Sequence, residues 1–250
     1  MNILVTAGNT QVPIDRVRAI TNIFTGRTGT SIALAAYNRD HRVTMLTSHP
    51  EVVGDLSREK TPTPDRWRLR AYRTFDDLRR ELEDEIRTGV YDAIIHGAAV
   101  SDYEPAGIYA PAPGTRFDST AARWQTASGE APALLDRAAG KVKSDERELW
   151  LRMVRTPKLI DLVRAEWAFR ELLVKFKLEV GVTEERLLEI AEKSRRQSEA
   201  DLMVANTLEG ASQWALLGPI HGEYKKIDRV ELAVQLLAAV EQLHKGRAHG

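Results

Sequence analysis

The sequence predicts an α/β protein, a largely parallel sheet with helices on both faces and one long inserted flap. Three observations predict it. Short apolar, β-branched runs recur, and each ends in small or polar residues, as buried parallel strands do. Between them lie segments with apolar residues three to four apart, the spacing of helices that cover a sheet. Residues 104–148 then break the rhythm with a Pro-, Gly-, Ala- and Ser-rich stretch too long for an ordinary connection.

Asn2–Thr6 (NILVT) is the first strand, and it delivers the loop AGNT. Beyond Pro13, TGRTGTSIALAAY reads as a Gly-rich turn that opens a helix. Arg42–Thr47 (RVTMLT) and Arg68–Tyr72 (RLRAY) are the second and third strands. Asp76–Arg87 alternates charge around Leu78, Leu82 and Ile86, spaced four apart, and so predicts an amphipathic helix. Tyr91–Val100 (YDAIIHGAAV) is a further buried strand. The stretch 104–148 has little periodicity and reads as a functional flap or a disordered insertion, closing on Lys141-Val142-Lys143. After it, Thr156–Trp167 predicts a helix with Thr156 as N-cap and Pro157 at the first helical position. Leu172–Lys175 and Asp201–Asn206 are strands, and Thr183–Ser198 is a second capped helix. The predicted closing helix, Lys226–Leu243, is built on Val230, Leu232, Val234, Leu236 and Leu237. No internal repeat is present, and residues 1–250 are expected to form one domain.

Composition removes several functions. The 36 basic and 36 acidic residues balance, so no net field favours nucleic acid or anionic lipid. There is no cysteine, which excludes disulfides, thiolate metal sites and a thiol nucleophile. No run of about 18 apolar residues suggests a membrane span. MNILVTAGNT has no leader-like pattern, so a cytoplasmic protein is expected.

Ligands of an open parallel sheet bind outside the carboxyl ends of its strands. Thr6–Thr10, His96–Ala99, Phe176 and Ala205–Thr207 are four such ends. Singly, their small residues serve close helix packing equally well; jointly they favour a site. The sequence lacks G-x-G-x-x-G after its first strand, which disfavours a nicotinamide-dependent reductase. Thr25–Gly29 opens a helix, and its backbone N–H groups with Arg27 suit a phosphate. The same residues suit a plain loop-to-helix turn, and both readings stand at this stage.

TAGNT followed by VPIDRVRAITNIFTGRTG (residues 12–29), GAAVSDY (97–103), KVK (141–143), LWLRMVRTPKLI (149–160), KFKLEV (175–180) and ADLMVAN (200–206) run in order along the chain. In this order they resemble the phosphopantothenoylcysteine synthetase family, the ligases of coenzyme A biosynthesis. The family pattern opens T-A-G-G-T, then E-P-I-D-x-V-R-x-I-S-N-x-S-S-G-x-M-G, and continues with A-A-A-V-x-D-Y, K-x-K, G-F-A-A-E-T and L-D-x-I-V-A-N.

The resemblance implies a Rossmann-like sheet whose flap serves a homodimer. It also implies a phosphopantothenate–cysteine ligase that uses CTP or ATP with Mg²⁺. Asn22 and Lys141 would be catalytic, the amide on the acyl intermediate and the flap lysine on phosphate charge. Arg18, Thr25, Gly26, Arg27 and Gly29 would bind the acid substrate. Gly8, Gly97, Ala98, Asp102, Lys141, Lys143, Pro157, Lys158, Leu159, Ile160, Phe176 and Asn206 would face the nucleotide. No flavin is expected on this chain, and the decarboxylase often fused to such domains would be a separate protein. The match departs from the family at three places. Asn9 replaces a glycine, Phe24-Thr25-Gly26-Arg27-Thr28 replaces Ser-Ser-Gly-Lys-Met, and Ser194 and Ser198 stand where two helix lysines are usual. A non-catalytic or altered-substrate homologue is the alternative these departures suggest.

Overall fold

The computed structural model describes residues 1–57 and 62–248. In chain order its elements are β1 (Asn2–Ala7), β2 (Gln11–Pro13), β3 (Ala19–Thr21), α1 (Arg27–Asn38), β4 (Arg42–Thr47), α2 (Glu51–Ser57), β5 (Trp67–Ala71), α3 (Phe75–Thr88) and β6 (Ala93–His96). There follow β7 (Tyr103–Pro111), β8 (Thr115–Asp118), β9 (Arg123–Thr126), β10 (Leu134–Asp136), β11 (Trp150–Arg155) and α4 (Leu159–Ala165). The chain ends with β12 (Leu172–Glu179), α5 (Glu184–Gln197), β13 (Leu202–Thr207), β14 (Trp214–Ile220), β15 (Glu223–Asp228) and α6 (Leu232–Ala248). Two compact units result. A sheet unit comprises Met1–Thr10, Asn22–Val100 and Lys158–Gly250, and a flap unit comprises Gln11–Thr21 and Ser101–Pro157.

The sheet unit holds an eight-stranded sheet in the order β15-β14-β13-β12-β6-β1-β4-β5. Its six parallel strands, counted along the chain, stand 3-2-1-4-5-6 (the doubly wound Rossmann order), so the expected fold class holds. Strand order reverses between β1 and β6, which makes that gap the topological switch point. On one face, Ile3, Val5 and Ala7 pack with Ile32, Ala33 and Ala36 of α1 and Leu236, Leu237 and Val240 of α6. On the other face, Leu4 and Leu173 pack with Leu78 and Leu82 of α3 and Leu159 and Val163 of α4. Period-two alternation in the strands makes both faces apolar. Each large aliphatic side chain so buried contributes roughly 1.5–3 kcal/mol. The start of α3 is fixed by a capping box between Thr74 and Asp77. No described helix is long and apolar enough to cross a membrane.

The flap unit is not the irregular stretch that composition suggests. Here β10-β7-β11 form a three-stranded antiparallel sheet, with β2-β3 and β8-β9 as hairpins. Ile108 and Ala110 alternate inward along β7, while Phe117, Trp124 and Trp150 cluster with ring centroids 4.5–5.2 Å apart. Pro105, Gly107 and Pro111 sit inside β7 and conceal its period.

Three other expectations change. Thr156 caps no helix. Its hydroxyl donates to the Ser101 carbonyl at 2.7 Å and its N–H to the Asp102 carbonyl at 3.0 Å, and α4 begins only at Leu159. The hairpin β14–β15 extends the sheet antiparallel at one edge, and Lys226–Asp228 belongs to β15 rather than to the last helix. Ile227 faces inward from that strand, whereas Val230 and Val234 are 90% and 55% exposed, so they form no apolar stripe. Glu51–Ser57 forms a short helix absent from the sequence reading.

Candidate active site

The site is built first by backbone. Gly8 follows β1 at φ +90, where a Cβ would lie 2.2 Å from the Ser48 hydroxyl. Gly26 precedes α1 at φ +78, and a Cβ there would lie 2.2 Å from the Gly8 nitrogen. A Cβ on Gly29 would meet that of Ala7 at 2.6 Å. One glycine thus makes the turn, a second lets two backbones touch, and a third lets helix pack on strand. These are the three tasks of a dinucleotide fingerprint. Here the excursion through Gln11–Thr21 separates the first glycine from the other two. That separation is why no contiguous motif is visible in the sequence.

Asn22 sits at this place. Its Nδ2 donates to the Ala99 carbonyl at 3.1 Å, and its own carbonyl accepts from Asn9 Nδ2. The same Ala99 carbonyl accepts the Thr10 N–H at 3.2 Å, and the Ala99 N–H donates to the Gly8 carbonyl at 2.8 Å. Asn22 is half-buried, neither remote from the strand ends nor sealed in a core. It does not cap α1, whose N-cap is Gly26 with no side-chain bond. Asn9, where the resemblance has glycine, is buried and clamps the loop. It takes a bond from the Ser48 hydroxyl on its Oδ1 at 3.1 Å, and its N–H donates to that hydroxyl at 2.9 Å. Tyr72, whose hydroxyl donates to the Ala7 carbonyl at 2.7 Å, secures the loop from below.

A buried polar row crosses the sheet just beneath. Thr6, His96 and Lys175 are register neighbours on β1, β6 and β12. Thr6 Oγ1 accepts the Ala98 N–H at 3.2 Å and lies within hydrogen-bond distance of His96 Nδ1, at 2.9 Å. Burial, assisted by the Lys175 charge, pushes the His96 pKa down to about 4 and keeps the ring neutral at pH 7. Lys175 is pushed down to about 8, chiefly by burial. Its ammonium donates to Ser198 Oγ and to the Ser194 carbonyl, and Ser198 Oγ donates to Asp161 at 2.6 Å. The two serines that stand for lysines therefore meet a lysine arriving from the neighbouring strand. Arg195 and Arg196 are both bound to Glu192, Arg195 also reaching the Ala200 carbonyl at 2.7 Å. Sequence reasoning passed over Lys175, although a lysine interrupting the apolar run LLVKF was the signal.

The remaining sheet-unit positions fall along the same carboxyl edge. Gly97 is beside Phe176, whose ring carbons would lie 3.8 Å from a Cβ there, and Asn206 is half-buried, one residue before the end of β13. Leu159 and Ile160 bury their side chains in the core, leaving backbone and Lys158 as groups that face solvent. The flap unit gathers another set. Arg18 Nη2 donates to Asp15 at 2.6 Å and to the Val142 carbonyl at 2.8 Å, and the Val142 N–H donates to Asp15 at 3.0 Å. Val142 is buried between Lys141 and Lys143, which are both exposed. Bonds to Arg18 and to the N–H groups of Val142 and Val17 hold the Asp15 carboxyl well below the usual range. Arg18 thus ties the KVK segment to the turn before β3. Asp102 and Pro157 also belong to this unit and are exposed near its ends.

Among the described residues no group of three or more acidic or histidine side chains is placed to hold a metal ion.

A family model, described as the DNA/pantothenate metabolism flavoprotein C-terminal domain, matches residues 1–111 and 133–243. The coenzyme A biosynthesis bifunctional protein CoaBC of Thermococcus kodakarensis is 29% identical over 96% of this chain and 51% of its own length. The chain therefore spans about half the length of the curated relatives it matches. The crystal structure of a DNA/pantothenate metabolism flavoprotein from Streptococcus pneumoniae superposes with a TM-score of 0.74. It is 30% identical and covers 98% of this chain and 100% of its own. A mutant of Cab2 in complex with phosphopantothenate-cysteine shares the fold at a TM-score of 0.71 and 18% identity, covering 99% of this chain and 88% of its own.

Proposed function

The chain belongs to the DNA/pantothenate metabolism flavoprotein C-terminal domain family, and from that premise we propose that it is a phosphopantothenate–cysteine ligase. One observation carries the reading. A neutral amide, Asn22, is fixed by a 3.1 Å bond at the switch point of the sheet and remains partly open to solvent. Both the CoaBC relative and the Cab2 complex with phosphopantothenate-cysteine support the substrate assignment.

In this reaction a phosphopantothenate carboxylate oxygen attacks the α-phosphorus of a nucleoside triphosphate. The α–β anhydride bond breaks, and pyrophosphate leaves with its electron pair. The cysteine amine then attacks the acyl carbon, the nucleoside monophosphate departs, and the amine proton passes to solvent. Asn22 donates to the acyl oxygen as negative charge develops, without adding a charge of its own. Gly8, Gly97 and Ala98 let the nucleotide approach backbone, with Asp102, Pro157, Lys158, Leu159, Ile160, Phe176 and Asn206 around it. Lys141 and Lys143 neutralise phosphate, and Arg18 holds their segment in place. Thr25, Gly26, Arg27 and Gly29 receive the acid. CTP is the proposed nucleotide and ATP the alternative. Mg²⁺ is proposed to arrive on the phosphates, and no side chain is assigned to it. A homodimer through the flap is supported by the exposed apolar Val17, Ile20, Tyr103 and Leu134 of that unit. A cytoplasmic setting and a separate decarboxylase complete the proposal.

Pyrophosphate release measured with phosphopantothenate, cysteine and each nucleotide tests it. Turnover is expected with one nucleotide at least, and Asn22→Ala is expected to lower kcat by roughly 10²–10³, the usual consequence of losing one such donor. No turnover above the Asn22→Ala level with any nucleotide would leave a non-catalytic homologue.

A further inference from the structure

Asn22, on which the ligase reading rests, is carried by no regular element. It lies between β3 and α1, and Ile23 and Phe24 beside it are exposed. A side chain on irregular backbone keeps its place through ties to more rigid structure. One tie is the bond from Asn22 Nδ2 to the Ala99 carbonyl at 3.1 Å. Another runs from Asn9 Nδ2 to the carbonyl of Asn22 itself.

The tie through Asn9 is locked from behind. Asn9 is 6% exposed and bridges to Ala99 in parallel fashion, as a short continuation of β1. Its backbone N–H donates to Ser48 Oγ at 2.9 Å, and the single hydroxyl proton of Ser48 goes to Asn9 Oδ1 at 3.1 Å. The oxygen of the Asn9 amide is thereby fixed on Ser48, so its amino group has to face the Asn22 carbonyl. Ser48 directly follows β4, whose last residues Leu46 and Thr47 are fully buried. One amide and one hydroxyl thus refer the place of Asn22 to a strand of the core. Gly8 permits this closeness, since a Cβ there would stand 2.2 Å from the Ser48 hydroxyl. Glycine, the residue at position 9 in the family pattern, has no side chain with which to make such a tie.

We infer that Asn9, with Ser48 behind it, is a positioning residue for Asn22 in amide formation. Being buried, Asn9 works through Asn22 rather than on the substrate. It holds the backbone from which the Asn22 amide reaches the acyl oxygen, so its loss is read in kcat rather than in either KM. The inference rests on the ligase reading for what Asn22 does, though not for how Asn22 is held.

Asn9→Asp in the whole protein is the sharpest probe, because it keeps the shape and the acceptor for Ser48 but turns the donor toward Asn22 into an acceptor. In pyrophosphate-release assays it is expected to lower kcat about tenfold, with nucleotide and acid KM within about twofold of the wild type. In the Asn22→Ala background the same substitution is expected to change kcat by less than about twofold, because its target is gone. An equal loss in both backgrounds overturns the inference, since a merely structural residue behaves that way. An unchanged kcat in Asn9→Asp, or a raised KM with kcat kept, overturns it too. Should Asn9→Asp not fold, Ser48→Ala is read in the same cycle, with a loss of about threefold expected in the wild-type background alone. No loss there, or an equal loss in both backgrounds, overturns the inference. A second readout needs no turnover. The Asn22 side-chain amide signals of the ¹⁵N-labelled protein, identified by their disappearance in Asn22→Ala, are expected to shift and to exchange faster with water in Asn9→Asp. Signals unaltered in position and exchange overturn the inference. If the wild type turns over nothing while these signals respond as expected, the ligase reading fails and the positioning of Asn22 by Asn9 stands.

Discussion

The polar ties of the sheet unit are made by different means at two ends. Around Gly8, Asn22 and Ala99 the arrangement is made of backbone, through glycines at positive φ, short N–H to carbonyl bonds, and amides tied to main-chain oxygens. Around Lys175, Ser194 and Ser198 it is made of side-chain charge, where a buried ammonium is held by a hydroxyl and a carbonyl with Asp161 behind them. Backbone sites need particular residues at particular positions, because only glycine tolerates the dihedral and the closeness. A charge needs only to be delivered to a place, and an adjacent strand delivers it as well as a helix does. Positional comparison therefore reads the first end directly, whereas the second has to be read together with what the neighbouring strand delivers.

Substituting Gly26 by alanine tests the backbone end most severely. The left-handed dihedral alone costs about 1–2 kcal/mol for a non-glycine residue. The added Cβ would also stand 2.2 Å from the Gly8 nitrogen, which is main chain and cannot step aside. Urea denaturation is expected to show a loss of roughly 4 kcal/mol. Gly181→Ala serves as the control, since Gly181 has φ +65 with nothing within 4 Å of a Cβ, and it isolates the dihedral contribution. Equal losses in the two variants would mean that the loop yields, and that backbone does not define this end.

At the charged end, Ser198→Ala removes the hydroxyl between Lys175 and Asp161 and leaves a buried ammonium short of an acceptor. A loss of roughly 2–3 kcal/mol is expected. Replacing both partners, as in Lys175→Met with Ser198→Ala, is expected to restore most of it, because apolar groups of similar shape need no partner. Additive losses in the double variant would show that the two residues do not act as one network.

Much of this was legible beforehand, for physical reasons that differ by element. The helix at Leu78, Leu82 and Ile86 and the strand NILVT announce themselves because burial on one face or both imposes a period. The flap strands did not, because Pro105, Gly107 and Pro111 interrupt the alternation, and pairing across β7 and β11 includes a register shift at Arg152/Met153. Asn22 was found through its neighbours in sequence. Lys175 was not, since it acquires its meaning from a partner 23 residues away. The tie between Arg18 and Val142 spans 124 residues and was equally invisible.

His96 links the two ends and sharpens the contrast by titration. In the folded protein its pKa is pushed down to about 4, whereas an unfolded histidine titrates near 6.5. The folded state therefore refuses a proton that the unfolded state accepts. Its stability falls as pH drops below about 6.5 and stops falling from this source near pH 4. At pH 5 the loss from this one residue is about 2 kcal/mol relative to neutral pH. Denaturation midpoints at pH 7 and pH 5 for the wild type and His96→Gln isolate it, because the carboxylates are common to both. A pH dependence as steep in His96→Gln as in the wild type would show that the ring is charged in place.

The smallest expected effect concerns the cations that remain on α5. Arg196 is 74% exposed and paired with Glu192, which also takes Arg195 and the Tyr224 hydroxyl and is pulled down to about 2, chiefly by Arg195. An exposed pair of this kind contributes less than about 0.5 kcal/mol. Arg196→Ala should accordingly leave both the denaturation midpoint and the nucleotide KM within about twofold of the wild type. A nucleotide KM raised roughly tenfold by this variant would assign the triphosphate to the helix after all. The buried ammonium of Lys175 would then serve as a support for that helix.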